Sequence, residues 1–146
     1  VKNLILTVGL PQSGKTTWTR SQGDPIVNPD SIRLALHGKP FIGLAEPFVW
    51  AIAHVMVRAL FLAGHETVIL DATNTTKKRR DEWKSESWTR SFVQIDAPPA
   101  VCKQRAAKTA VDQDHADGLI AAIDRMQEKF EPLTSEELGE CRIPAK

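Results

Sequence analysis

Short apolar runs and helically spaced stretches alternate along this chain, with glycine, proline or asparagine between them. Residues 3–8, centred on Leu4-Ile5-Leu6-Thr7-Val8, predict a buried strand. A helix then begins at Gly14 and ends near Ser21-Gln22-Gly23. A short strand at Ile26-Val27 delivers Asn28-Pro29-Asp30, and Ser31–Leu36 reads as one or two helical turns. His37-Gly38-Lys39-Pro40 and Gly43 mark a loop able to move. Glu46–Ala63 is a long, mostly apolar helix closed by Gly64, a residue expected just past a helix end. Thr67-Val68-Ile69-Leu70 predicts another buried strand, ending at Asp71. A charged helix starts near Thr76, Phe92–Ile95 predicts a strand, and Pro98-Pro99 opens a further helix. Ala116, Leu119, Ile120, Ile123, Met126 and Phe130 share one helical face, with Pro132 as the stop. This alternation predicts an α/β fold: a parallel sheet with helices on both faces.

Composition narrows the picture only a little. With 146 residues, one domain over 1–146 around one core is expected, and 42% hydrophobic content is ordinary for a globular chain. The most apolar stretch, Pro47 to Ala63, contains His54 and Arg58 and is expected to be too short to span a bilayer comfortably. No charged-then-apolar leader precedes the first strand, and Cys102 and Cys141 lack metal or CxxC spacing. The expectation is a soluble cytoplasmic chain with reduced thiols and no membrane partner. Net charge is +1, but residues 77–108 carry nine Lys/Arg against four Asp/Glu, and residues 109–146 reverse the balance. A basic middle third suits a polyanion. It equally suits a solvated helix face plus arginines that clamp phosphates.

The first strand runs into Gly9-Leu10-Pro11-Gln12-Ser13-Gly14-Lys15-Thr16, which has the spacing G-x-x-x-x-G-K-[ST] in the strand–turn–helix setting of a phosphate-binding loop. Gly9 and Gly14 let the backbone bend and turn its N–H groups inward, and the helix that follows adds its positive end. Lys15 is placed to reach the β- and γ-phosphates, and the Thr16 hydroxyl to ligate Mg²⁺. Pro11, Gln12, Ser13 and Thr17 complete the candidate contacts to a nucleoside triphosphate.

In a parallel sheet the carboxyl ends of the strands gather the ligand, so the residues there belong together. Asp30 and Arg33 are three apart at a helix start and share a face. Such a carboxylate can accept a proton from an attacking hydroxyl while the guanidinium holds phosphate; Asp30 can also simply cap the helix. Asp71 ends its strand where a carboxylate sits near Mg²⁺, and Thr73 and Asn74 can bind acceptor oxygens or cap the next helix. Downstream, Lys103, Arg105 and Lys108 offer a cation for charge developing on the phosphates, with Arg105 the best single candidate. Lys77-Lys78-Arg79-Arg80 with Trp83 combines charge and an aromatic ring. The ring is either a base-stacking platform or a half-buried core residue under arginine stems. His54, between Trp50 and Arg58 on an i, i+4 stripe, reads as an edge or core residue.

Taken together, GLPQSGKTTW (9–18), NPDSIR (28–33), DATN (71–74) and KFEPLTSEE (129–137) resemble the kinase domain of the polynucleotide kinase family, in that family's order. The small phage kinases that phosphorylate hydroxymethyl groups on modified DNA bases are similar as well. The resemblance implies a P-loop NTPase fold and ATP- and Mg²⁺-dependent transfer of phosphate to a hydroxyl of DNA or RNA. It makes Asp30 the general base and Arg33 a contact to the acceptor or transferred phosphate. Asp71, Thr73 and Asn74 then shape the acceptor side, and Arg105 belongs to the lid. Where the family's lid often has a second arginine, this chain has Lys108 and Thr109. A small-molecule kinase and a nucleotide-gated binding protein are the rival readings.

Overall fold

A computed structural model describes residues 1–140; Cys141 lies outside the described residues. Four strands, β1 (Asn3–Val8), β2 (Ile26–Val27), β3 (Thr67–Leu70) and β4 (Thr89–Gln94), pair in parallel in the order β2-β3-β1-β4. Leu4 of β1 lies opposite Val68 on one side and Arg90 on the other, so the glycine-rich loop leaves the sheet from its middle. Parallel neighbours require crossovers, and helices supply them. The crossovers are α1 (Lys15–Gln22), α2 (Pro29–His37) with α3 (Glu46–Leu62, entered by a 3₁₀ turn at Gly43–Ala45), and α4 (Lys77–Asp81); after β4 come α5 (Pro99–Thr109), α6 (Gln113–Glu128) and α7 (Ser135–Glu140).

Successive strand side chains point to opposite faces, which sorts the apolar residues into two layers. Leu4, Leu6, Val8, Val68, Leu70 and Phe92 meet Val49, Ala53, Val57 and Phe61 of α3, together with Trp83 and Trp88. Ile5, Ile69 and Val93 face the other way, onto Trp18 of α1. A separate cluster joins Leu10 of the glycine loop to Cys102 and Ala106 of α5 and Ile123 of α6. The loop is therefore packed from below by the α5–α6 pair.

Five details depart from expectation. The charged helix α4 is only five residues long. Strand β4 starts at Thr89 rather than Phe92, because Arg90 and Ser91 are buried and find Glu140 and Asn3 as partners. Phe130 lies beyond the end of α6 and packs on the main core, not on the α5–α6 face. Helix α7 has no apolar stripe; its Glu137 is the buried anchor. The helical stretch Gly43–Leu62 is 20 residues with mean hydropathy 1.4, long and apolar enough by those measures to cross a membrane, contrary to the expected shortfall. Its Val49, Ala53, Val57 and Phe61 stripe packs on the sheet.

Candidate active site

The glycine loop holds its shape through backbone geometry that other residues do not readily adopt. Gly14 has φ 105°, and Gln12 is one of two non-glycine residues at positive φ (66°) among the described residues. A Cβ on Gly9 would stand 2.7 Å from the Ile95 carbonyl oxygen and 2.8 Å from Ser13 Oγ, so the loop closes on itself where only glycine fits. Helix α1 starts at Gly14 with no side-chain cap, which leaves its first N–H groups for a ligand anion. Ser13 is buried, Pro11 and Gln12 are half-buried on the rim, and Thr17 is exposed.

Lys15 is the buried cation of this site. Its Nζ donates to the Leu10 carbonyl at 2.6 Å and to Ser13 Oγ at 3.4 Å. Burial pulls the ammonium down to about 8, an effect that Asp71, Cys102 and Asp30 only partly offset. A buried positive charge without a contacting carboxylate fits the approach of an anionic ligand. Beside it, Asp71 is buried at the end of β3, and its Oδ2 accepts from Thr16 Oγ1 (3.0 Å), Asn28 Nδ2 (3.2 Å) and Thr19 Oγ1 (3.4 Å). No donor among the described residues reaches Asp71 Oδ1. An oxygen left open beside a hydroxyl suits a hard cation that keeps most of its waters, as Mg²⁺ does. Thr16 and Asp71 are the residues that would hold it. The described residues contain no cluster of three or more His, Cys, Asp or Glu that could hold a metal alone.

Helix α2 presents the second half of the site. Asn28, not Asp30, is its N-cap: Asn28 Oδ1 accepts from the N–H groups of Asp30 (2.8 Å) and Ser31 (3.3 Å). That frees the Asp30 carboxylate, whose side chain is 80% exposed and meets Arg33 Nη1 at 2.7 Å. Arg33 in turn forks onto Glu46 through Nε (2.9 Å) and Nη2 (2.6 Å). The Glu46 hydrogen bonds raise the Arg33 guanidinium above its ordinary value, and Arg33 lowers the Glu46 carboxyl. Arg33 is thus a fixed charge rather than a swinging one.

The segment 71–76 supports the glycine loop instead of capping a helix with Asn74. The Thr73 carbonyl accepts the Gly9 N–H at 3.0 Å. Asn74, buried at φ 45°, donates through Nδ2 to the Thr7 carbonyl at 2.8 Å, while the cap of α4 is Thr76. Asn74 Oδ1 is buried without a partner among the described residues. From the other side, Arg105 Nη1 donates to the Gln12 carbonyl at 3.0 Å, so α5 brings its cation to the loop. Lys108 has no described partner.

The basic run is not a free field. Lys77 pairs with Asp81, Arg79 with Glu82, Lys84 with Asp81, Arg90 with Glu140 and Lys103 with Asp124. Arg80 is fully buried on Glu137 at 2.7 Å. Trp83 is fully buried too, stacked on His54 at 3.8 Å, which removes it as a base platform; Arg79 lies over Trp50 instead. Burial, with nearby Arg58 adding to it and Glu82 opposing, lowers the half-buried His54 imidazole below its ordinary value. A cleft of about 520 Å³ opens between α1, α2 and α3, its polar floor formed by Thr16, Asn28 and Asp71 and its walls by Ile32, Leu36 and Ile52. No residue of 37–45 lines it.

Three residues of this network carried no role in the sequence reading: Asn28, Thr19 and Glu46. Asn28 was detectable, since Asn before Pro is a helix-start signature. The partners of Thr19 and Glu46 lie 52 and 13 residues away, a distance no local pattern reveals.

Comparison with known proteins follows the same lines. A search of curated proteins finds no significant match. Among solved structures, the chain is 29% identical to a protein in the Pnkp1/Rnl/Hen1 complex, with TM-score 0.64 over 77% of this chain. It spans only 40% of that protein's length. Kti12 of Chaetomium thermophilum with ADP-AlF3 (17% identity, TM-score 0.64) and a Janibacter sugar kinase (21%, 0.62) share the fold over 91% and 94% of this chain, and 82% of each of theirs. The AAA domain family model matches residues 4–133, which takes in the glycine loop, the strand-end carboxylates and Arg105. On that match and this architecture, the chain belongs to the AAA domain family and has the P-loop fold, similar in form to the kinase structures above.

Proposed function

We propose that this domain transfers the γ-phosphate of ATP, with Mg²⁺, to a hydroxyl of a nucleic acid, either a 5′-hydroxyl end of DNA or RNA or the hydroxymethyl group of a modified base. The observation that carries the transfer is the Asp30 carboxylate. It is exposed at the start of α2 and tethered to Arg33, and its charge is felt at Lys15. A general base must be ionised, reachable by the acceptor hydroxyl and near the donor phosphates. Asp30 takes the proton of that hydroxyl as it attacks, and Arg33, fixed by Glu46, faces the transferred group. Lys15 and the loop N–H groups hold the donor phosphates, and Arg105 meets charge developing on them. Thr16 and Asp71 would hold Mg²⁺, which would supply charge neutralisation at the donor phosphates. Asp71, Thr73 and Asn74 bear on the acceptor side indirectly: Asp71 takes the Asn28 amide at the start of α2, and Thr73 and Asn74 set the glycine loop against which the acceptor meets the donor.

The nucleic-acid acceptor is supported by the likeness to a protein of the Pnkp1/Rnl/Hen1 assembly, which is described as an RNA repair complex. Six of the nine cations in 77–108 are paired with carboxylates, which favours recognition of the end group over a long track along the phosphate backbone. The test is γ-labelled ATP offered with 5′-hydroxyl oligonucleotides, hydroxymethylated-base DNA, nucleosides and sugars. Label on either of the first two is expected. Label on nucleosides or sugars alone makes this a small-molecule kinase, and label on nothing despite ATP binding makes it a nucleotide-gated binding protein.

A further inference from the structure

We propose that Asn28 is a positioning residue that couples the metal side of the site to the helix carrying Asp30, by using both ends of its amide at once. The proposal builds on the kinase reading above. Pro29 at the first position of α2 has no N–H, so the first donors of that helix belong to Asp30 and Ser31, and Asn28 Oδ1 takes both. The other end, Nδ2, donates to Asp71 Oδ2 at 3.2 Å. This orientation of the amide is the one that satisfies both sides, since two N–H donors need an oxygen and a carboxylate needs a donor. Asp71 Oδ2 also receives the hydroxyls of Thr16 and Thr19. One side chain therefore links the end of β3, the first turn of α1 and the start of α2.

Helix capping does not by itself require asparagine here. Asp and Ser cap about as well. Serine, however, lacks the second arm toward Asp71, and aspartate would set a carboxylate against a carboxylate. Only the two-sided role separates the three residues. It fixes how far the Asp30 carboxylate stands from the Thr16–Asp71 pair, a separation on which in-line transfer depends steeply.

The experiment compares wild type with Asn28→Ser and Asn28→Asp. Three quantities are read for each: the thermal midpoint, the Mg²⁺ concentration that half-saturates ADP binding by calorimetry, and kcat and KM for the labelled acceptor. Asn28→Ser is expected to unfold within about 3 °C of wild type, because the cap survives. Its kcat is expected to fall roughly 10- to 100-fold with acceptor KM within about threefold, and its Mg²⁺ requirement to rise several-fold, as for other residues that orient a metal ligand. Asn28→Asp should be worse than Asn28→Ser on both Mg²⁺ and kcat. A residue that merely caps predicts the opposite order, with Asn28→Asp equal to wild type. Wild-type kcat and Mg²⁺ dependence in Asn28→Ser overturn the proposal, and so does a midpoint loss of 10 °C or more, which makes the link to Asp71 structural. If the wild type labels no acceptor, the kinase reading falls, and the Mg²⁺ dependence of ADP binding still decides the role of Asn28.

Discussion

The buried ammonium of Lys15 makes the free protein's stability depend on pH in a specific direction. Folding lowers the group from 10.5 to about 8, chiefly by burial. At 1.36 kcal/mol per pH unit, that gap corresponds to roughly 3 kcal/mol. The folded value lies below the unfolded one, so between pH 8 and 10.5 the unfolded chain holds a proton that the folded chain has released. Stability therefore rises with pH through that window, and the penalty is present in full below about 8. Lys15→Met removes this titration while keeping most of the stem. The unfolding free energy of wild type relative to Lys15→Met should climb by roughly 2–3 kcal/mol from pH 7 to 10. Urea unfolding read by tryptophan fluorescence measures it, and the absence of tyrosine removes one competing titration. An anionic nucleotide held at the loop would favour the charged form of Lys15, so the dependence should flatten in the presence of MgADP. ADP affinity should also weaken as pH passes 8, with calorimetry at pH 9 showing proton uptake. A difference curve that stays flat from pH 7 to 10 refutes the picture of a charge held ready without its anion.

Asp30→Asn should bind ATP as wild type does and transfer phosphate about 10²- to 10⁴-fold more slowly, since Arg33 keeps both contacts to Glu46; calorimetry and single-turnover rates check the two halves. Gly9→Ala forces a Cβ against the Ile95 carbonyl, an overpacking of about 1–3 kcal/mol, and should weaken ATP binding tenfold or more in the same calorimetric assay. Arg80→Ala strands buried Glu137 and should destabilise the fold by about 3–5 kcal/mol in chemical unfolding. Burial pushes the Glu137 carboxyl up, but Arg80 and the Thr134 contacts outweigh that and hold it below its ordinary value. The pair's contribution is thus present above the ordinary carboxyl range and lost as acid protonates Glu137. A test of polynucleotide contact should change Lys77, Lys78 and Arg79 while sparing Arg80.

Much of the fold was readable because periodicity and turn chemistry agree. The run into Gly9 and the glycines at 14, 23 and 64 marked β1, the loop, the ends of α1 and the end of α3. What escaped was polar structure that is buried. Arg90 and Ser91 look like loop residues until Glu140 and Asn3 are seen to satisfy them, and α7 has a buried glutamate where a helix usually has a leucine. The basic run misled for the same reason. A sequence shows where cations are, while the carboxylates that neutralise Arg80, Arg90 and Lys103 lie 57, 50 and 21 positions away. Within the site, residue types that act on phosphate were legible from spacing. The second layer that aims them, Asn28 and Glu46, appears only when the helices are packed.

Arg80 does more than pair with Glu137. Its Nη1 also donates to the carbonyls of Asn74 and Glu131 and its Nη2 to that of Pro132, while the Glu131 N–H reaches the Thr75 carbonyl. The segment that steadies Gly9 is therefore itself held by residues 131–137. On a ribosome the glycine loop is made first and its last support more than a hundred residues later. A nascent chain halted before Glu137 has the nucleotide motif in full but not the brace behind it. On the proposed function, ATP binding should therefore develop only once residues 131–137 are made, and calorimetry on chains ending before Glu137 checks it.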